Sequence, residues 1–314
     1  MTRLEHWENY YRRGALVTCP TGTDANYTAD LRHTWVEFFE GLGPGARIVD
    51  VGTGNGPVPL IAKEVAERAA RSFEIHGVDL AQIDPRRDVP GGDASFAGVC
   101  FHAGVGAEAL PFETGSFDAV TGNFALEYSD TARSIPELHR VLKPGGRARF
   151  VLHHRDSVVL SNAAGSFDQF RLVFDETRIL RKLRRYLDLD RDRKPGAARA
   201  SNELTVALRQ IDAGLAGRPV GQSVLAGTGE LVRQCLSARR ALPVSALEAR
   251  IAHFDRDLRE AMRRLQDLQR CALGESQMRE LVRQAAATGL THGDVGTVQQ
   301  GGRHLIGWRW DLQR

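Results

Sequence analysis

The chain has 314 residues, of which 42% are hydrophobic and 26% are charged, the proportions of an ordinary soluble globular protein. Its formal charge of +3 is too small to require a nucleic-acid partner, and its four cysteines have neither metal-binding nor disulfide-framework spacing. Because no apolar run approaches the ~18 residues of a membrane span, we expect a cytoplasmic protein without a metal or a membrane segment.

Residues 1–45 hold a local concentration of Trp, Tyr and Phe and no apolar stretch typical of a signal peptide. The segment 31–41 predicts a short helix that ends at Gly41. The other aromatic residues have no evident place in a sheet, so we interpret 1–45 as an aromatic cap. Tyr10 and Tyr11 are candidates to close over a bound cofactor, by packing or by taking part in the chemistry.

An alternation of strands and helices begins at residue 46. Five buried strands are predicted, at 46–52, 74–80, 99–105, 117–124 and 147–154. Helices are predicted at 57–71 and 131–142, whereas residues 81–98 are rich in Pro, Gly and Asp and replace the helix expected there. The alternation predicts parallel strands joined by right-handed crossovers.

The strand pattern stops at residue 155, and the chain has a helical pattern up to residue 272. Its clearest helix is 245–271, where seven apolar residues recur at spacings of three and four. This apolar stripe fits a homodimer seam and equally fits packing against neighbouring helices of the same segment. The glycine-containing stretch 226–229 (AGTG) is predicted to link two helices.

The strand and helix pattern resumes at the C-terminus, with a helix at 276–288 and two β-like runs around the turn QQGGR. The predicted fold is therefore α/β: a Rossmann-like, doubly wound and mostly parallel sheet with an antiparallel C-terminal hairpin and a helical insertion. We assign 46–154 and 273–314 to the sheet domain and 155–272 to the insertion.

A glycine-rich turn follows the first predicted strand, in the sequence VDVGTGNG at 49–56. Glycines let a ligand approach the main chain closely, and the helix that follows offers unpaired N–H groups. Asp79 ends the next strand, where a carboxylate can accept both hydroxyls of a ribose. A dinucleotide fingerprint would need a glycine at position 57, which is Pro57.

This turn resembles the first motif of class I S-adenosylmethionine-dependent methyltransferases, (D/E)-x-G-x-G-x-G. The segment LPFETGSFDAV at 110–120 and the segment RVLKPGG at 140–146 are similar to later motifs of that family, in the family's order. The resemblance covers 46–154 and, in pattern only, 275–314. It implies S-adenosylmethionine as the cofactor and does not identify the methyl acceptor.

The resemblance also implies where the cofactor binds. Asp50 and the glycine turn would hold its amino-acid end, Asp79 its ribose, and Leu80 would lie beneath its adenine. The family's adenine-binding aspartate is replaced by Gly106, so backbone N–H groups or Glu108 would contact the adenine. The implied set is Asp50, Gly52, Thr53, Gly54, Asn55, Gly56, Asp79, Leu80, Ala107, Glu108, Asn123 and Phe124, to which the aromatic cap adds Tyr10 and Tyr11.

A general base is needed only if the methyl acceptor carries a poorly acidic proton. The candidates lie after the fourth and fifth predicted strands, whose carboxyl ends border the ligand site in open α/β sheets. They are His153, His154, Glu127 and Tyr128. Alternation along a strand turns the two histidines to opposite faces. Either histidine can instead be a hydrogen-bonding wall of the site.

We therefore expect an enzyme that transfers a methyl group from S-adenosylmethionine to O, N or C of a small molecule, with the cap and the insertion forming a substrate lid. One alternative is an RNA or protein methyltransferase that docks through the insertion. Another is a non-catalytic cofactor-binding protein that acts through its long helix. Nucleic acid is disfavoured because three aspartates directly follow the basic run 178–186.

Overall fold

The computed structural model describes residues 4–17, 26–27, 29–215 and 223–314. The chain forms two compact units, Met1–Leu160 with Asp267–Arg314, and Ser161–Gln266. Cys19 lies outside the described residues. Within the described residues, no helix combines the length and the apolar character needed to cross a membrane.

The first unit contains seven strands. They are β1 (Arg47–Val51), β2 (Glu74–Asp79), β3 (Val99–Ala103), β4 (Phe117–Asn123), β5 (Leu142–His153), β6 (Thr291–Gln300) and β7 (His304–Gln313). They form one sheet in the order β3-β2-β1-β4-β5-β7-β6. The first five are parallel, and β7 pairs antiparallel with both β5 and β6. The predicted fold class, with its C-terminal hairpin, is confirmed.

Helices cover both faces of this sheet. They are α1 (Glu5–Tyr11), α2 (Ala29–Glu40), α3 (Pro57–Arg68), α4 (Pro85–Asp88), α5 (Gly92–Ser95), α6 (Thr131–Val141) and α12 (Glu275–Thr288). On one face, Trp35 of α2 and Ile61 of α3 pack with Ile48 of β1. On the other face, Leu138 of α6 and Met278 of α12 pack in the same core as residues of β1 and β5. Because neighbouring residues of a strand point to opposite faces, each strand supplies both cores.

Two segments of this unit differ in detail from the predicted elements. The strand predicted at 147–154 is assigned from Leu142, so the KPGG segment lies inside β5. The backbone N–H of Gly145 donates to the carbonyl of Arg314, and the N–H of Arg314 donates to the carbonyl of Gly146. Arg314 therefore pairs with the segment, which bulges between the pairs Phe117–Leu142 and Ala119–Arg147 and turns at Gly145, whose φ is +79°. Residues 81–98 form the two four-residue helices α4 and α5.

The second unit is helical. Its elements are α7 (Val158–Arg171), a π-helical turn (Leu172–Glu176), α8 (Ile179–Arg191), α9 (Ala197–Leu215), α10 (Val224–Ala238) and α11 (Val244–Cys271), of which α7 and α11 extend into the first unit. The predicted linker at 226–229 is wrong, since it lies inside α10. A glycine inside a helix costs about 1 kcal/mol relative to alanine, and burial of Leu225 and Val232 offsets that cost.

The apolar stripe of α11 is largely buried within the second unit. Leu247, Ile251 and Leu258 belong to a core that also contains residues of α8, α9 and α10. Neighbouring helices of the same unit thus cover most of the stripe, as the packing interpretation of its periodicity expects, and the homodimer seam stays a prediction.

Candidate active site

The turn after β1 has a backbone that only glycine adopts easily. Gly52, Gly54 and Gly56 have φ angles of +64°, +51° and +80°. A Cβ atom on Gly52 would lie 2.3 Å from the side chain of Ala125, in the loop after β4. Side chains are therefore excluded from the turn by conformation and by space, so other groups can approach its main chain closely.

Asp79 is tied to this turn. The backbone N–H of Gly54 donates to its Oδ2 and that of Ala81 to its Oδ1, each across 2.8 Å. Each carboxylate oxygen still has an acceptor position for a further donor. Burial raises the pKa of Asp79 to about 6, against the effect of the two N–H bonds. The next residue, Leu80, is 51% exposed, so an acceptor and an apolar surface adjoin at the end of β2.

Asp50 lies deeper, in β1. The Thr121 hydroxyl donates to its Oδ1 across 2.7 Å, because these two residues are paired in register on neighbouring strands. Burial raises the pKa of Asp50 to about 7, and the Thr121 bond opposes this shift. We expect its ionisation to respond to any cation placed beside it.

Asn55 connects the glycine turn to the N-terminal segment. Its side-chain amide donates to the carbonyls of Tyr11 and Ala15, across 2.9 and 2.8 Å. Its Oδ1 is buried and has no hydrogen-bond partner among the described residues. A buried amide oxygen in this condition is available to a donor on a ligand.

Helix α1 bridges the glycine turn and the loop after β4. The Tyr11 ring lies against Gly54, 2.8 Å from the place where a Cβ atom would stand. Trp7 stacks on Tyr11 with ring centres 6.1 Å apart and meets Tyr128 edge-on at 6.0 Å. The Tyr10 hydroxyl donates to the carbonyl of Val17, so Tyr10 is bonded within the N-terminal segment itself.

The end of β4 is held by the same N-terminal segment. The Asn123 amide donates to the Tyr27 hydroxyl across 2.9 Å and accepts from the indole N–H of Trp35 across 3.2 Å. Phe124 has a φ of +55°, a strained conformation for a bulky residue, and its ring stacks on His153 at 4.2 Å. Asn123 therefore anchors the cap, and Phe124 forms a wall beside His153.

His153 and Glu127 form a buried pair. Oε1 of Glu127 lies 2.7 Å from Nδ1 of His153 and 2.8 Å from its backbone nitrogen. The two side chains are 6% and 0% exposed. Tyr128 meets the His153 ring edge-on at 5.8 Å. The structure thus brings three of the four candidate bases together.

His154 is in a different environment. Its ring stacks on Trp308 at 4.3 Å, and its Nδ1 accepts the backbone N–H of Asp156. Burial lowers the pKa of His154, which favours the neutral ring. Near the expected adenine position, Ala107 is buried, and the Glu108 carboxylate accepts the backbone N–H of Asp130.

Residues 49–150 match a known family described as a methyltransferase domain. This segment of the chain is therefore similar to a methyltransferase domain. The chain is 34% identical over 145 residues to the ubiquinone/menaquinone biosynthesis C-methyltransferase UbiE of Geotalea daltonii, covering 40% of this chain and 59% of that protein. It is 39% identical over 103 residues to the demethylmenaquinone methyltransferase of Thermus thermophilus, covering 32% and 44%. The chain thus spans about half the length of these relatives.

Among solved structures, a SAM-dependent methyltransferase from Aquifex aeolicus aligns with 90% of this chain and 88% of its own, at 11% identity and a TM-score of 0.42.

The residues of the methyltransferase domain fit its cofactor. The amino-acid end can meet the main chain of the glycine turn and Oδ1 of Asn55, which has no hydrogen-bond partner among the described residues. The ribose can donate to the spare acceptor positions of Asp79, and the adenine can lie on the exposed Leu80. Among the described residues, no group of three or more His, Cys, Asp or Glu side chains is placed to hold a metal ion.

Sequence reasoning missed two contacts of this site. One is the Thr121 bond to Asp50, which depends on strand register. The other is Asp267, whose carboxylate lies 2.6 Å from Nε2 of His6 and accepts the indole N–H of Trp7 across 3.3 Å. Asp267 is about 260 residues from both partners, and no sequence pattern links them.

Proposed function

We propose that this chain is an enzyme that transfers a methyl group from S-adenosylmethionine to a small-molecule acceptor. The observation that carries the proposal is the bond from Gly54 to Asp79, which fixes the ribose-binding carboxylate beside the open glycine turn. The match of residues 49–150 to the methyltransferase domain supports it.

When bound, S-adenosylmethionine supplies an electrophilic methyl group and a sulfur that leaves as a neutral thioether. The chain has to bind it and to orient the acceptor. In this proposal Asp79 accepts the ribose hydroxyls, Leu80 lies beneath the adenine, and Asp50 and Asn55 face the amino-acid end. Holding a nucleophile about 3–3.5 Å from the methyl carbon can supply about 7–11 kcal/mol of the barrier.

For the acceptor we propose a flat aromatic molecule. Of the two relatives named above, one is by name a C-methyltransferase of ubiquinone and menaquinone biosynthesis, and the other is a demethylmenaquinone methyltransferase. The rings of Phe124, Tyr128 and Trp7 cluster around the His153 end of the site and suit an aromatic guest. Cys100 and Cys235 are free thiols, which fits a reducing cytoplasm.

The test uses S-adenosylmethionine with a labelled methyl group and reduced demethylmenaquinone as the probe acceptor. The proposal predicts label in the quinol and one S-adenosylhomocysteine formed per methyl group, with no transfer by Gly54→Val. Cofactor binding without transfer to this quinol would overturn the acceptor class. No binding of S-adenosylhomocysteine would overturn the function.

A further inference from the structure

The pair formed by Glu127 and His153 has a defined donor and acceptor arrangement. Oε1 of Glu127 accepts the backbone N–H of His153 and also faces its Nδ1. Because Oε1 is the oxygen that accepts the backbone N–H, an acceptor atom faces the ring, and the ring donates to it from Nδ1. In a neutral imidazole the proton is then on Nδ1 and the lone pair is on Nε2.

The His153 ring is also fixed in orientation. Phe124 covers one of its faces at 4.2 Å with an interplanar angle of 29°, and Tyr128 meets it edge-on. No described protein group forms a hydrogen bond with Nε2, although the side chain is only 6% exposed. A fixed, desolvated ring with an unengaged lone pair is suited to accept a proton from a bound molecule.

The pair lies at the same sheet edge as the cofactor site. β1, β4 and β5 are neighbours, so the axes of β1 and β5 are separated by two strand spacings, about 10 Å in all. Contacts from Gly54 to Tyr11, Trp7, Tyr128 and His153 connect the two ends without a break. A cofactor whose amino-acid end occupies the glycine turn can therefore present its methyl group toward His153.

We propose that Nε2 of His153 accepts a proton from the methyl acceptor and that Glu127 is the positioning residue that fixes its tautomer. This inference rests on the proposed function and adds that the acceptor carries a phenol-like hydroxyl. The O–H bond breaks and its proton binds Nε2, while its electron pair raises the nucleophilicity of the oxygen or of a ring carbon. That atom bonds to the methyl carbon, and the carbon–sulfur electron pair leaves with sulfur. His153 later releases the proton to water. After attack by carbon, the proton on that ring carbon also passes to water, and the electron pair of its C–H bond restores the aromatic ring.

The first test is a ¹⁵N NMR measurement of the histidine tautomers in the full chain with S-adenosylhomocysteine bound, with His153→Gln used to assign the signal. The inference predicts a protonated Nδ1 and an unprotonated Nε2 when the ring is neutral. If S-adenosylhomocysteine is bound and the His153 ring is protonated only on Nε2, the inference is overturned. Failure of S-adenosylhomocysteine to bind the wild-type chain would instead overturn the underlying function.

The second test compares Glu127→Gln and His153→Gln with His139→Gln, a control on α6 remote from the site. With reduced demethylmenaquinone or a simple naphthol as acceptor, both site variants should lose about 10²–10⁴-fold in kcat while KM changes little. Calorimetry should show their affinity for S-adenosylhomocysteine within about threefold of wild type, which also shows that the variants fold. Wild-type turnover in a folded His153→Gln protein would contradict the proton-accepting role.

Discussion

The backbone N–H of Gly54 donates to Oδ2 of Asp79 across 2.8 Å, so the turn after β1 and the tip of β2 form one connected surface. The proposed cofactor site therefore does not depend on a loose loop. Its main-chain wall and the carboxylate proposed to bind the ribose are positioned by the paired strands β1 and β2.

The first prediction concerns Asp79. Its replacement by alanine should weaken S-adenosylhomocysteine binding by about 1.5–3 kcal/mol, the usual strength of hydrogen bonds to a charged group. Isothermal calorimetry measures this directly. Asp118→Ala is the matched control, because that carboxylate binds Lys143 and the backbone of Arg47 away from the site. Equal affinities in the two variants would remove Asp79 from the ribose site.

A second prediction distinguishes two effects of a side chain at a glycine: steric block of the cofactor and strain in the backbone. Gly54→Val should abolish cofactor binding, because a side chain there meets the Tyr11 ring and fills the surface of the turn. Gly45→Val has a similar positive φ of +74° but nothing within 4 Å of its Cβ position. It should lose about 1–3 kcal/mol of stability and still bind the cofactor. Tight binding by Gly54→Val would contradict the assignment of the turn.

The third prediction follows from the raised pKa values of Asp50 and Asp79, about 7 and about 6 against an ordinary 3.8. Between about pH 4 and pH 7 the folded chain holds protons that the unfolded chain has released, so stability should fall as pH rises. The slope per carboxyl is at most about 1.4 kcal/mol per pH unit.

Urea unfolding of the ligand-free chain at several pH values tests this dependence. Asp50→Asn removes one titrating group and keeps an acceptor for the Thr121 hydroxyl. It should flatten the decline between about pH 4 and pH 7. An unchanged slope in the variant would show that Asp50 does not carry a raised pKa.

A fourth prediction concerns the anchoring of α1. Asp267→Ala removes a hydrogen-bond partner of both His6 and Trp7. If the helix Glu5–Tyr11 loses about 1–2 kcal/mol of local stability, its amide protons should exchange about 5–30-fold faster. Hydrogen exchange followed by mass spectrometry reports this segment separately. Asp168→Ala, which removes an exposed aspartate paired with Arg171, is the control. Equal protection of α1 in both variants would argue against the anchor.

Local patterns predicted much of this molecule. The glycine turn, the position of Asp79 and the alternation of strands follow from short-range chemistry, and the structure places them as expected. The pairing of Glu127 with His153 did not follow, because it depends on how the loop after β4 folds back on β5. Likewise, the bonds between the KPGG segment and Arg314 did not follow from the sequence, because the two lie far apart along the chain.

The central claim is that a methyltransferase cofactor binds along the edge from the glycine turn to His153. A crystal structure of the chain with S-adenosylhomocysteine tests it most directly. The account predicts the ribose hydroxyls on Asp79, the adenine over Leu80, the amino-acid end along residues 52–56 and the sulfur on the His153 side. Density for the ligand at another place, or a ribose with no contact to Asp79, would contradict it.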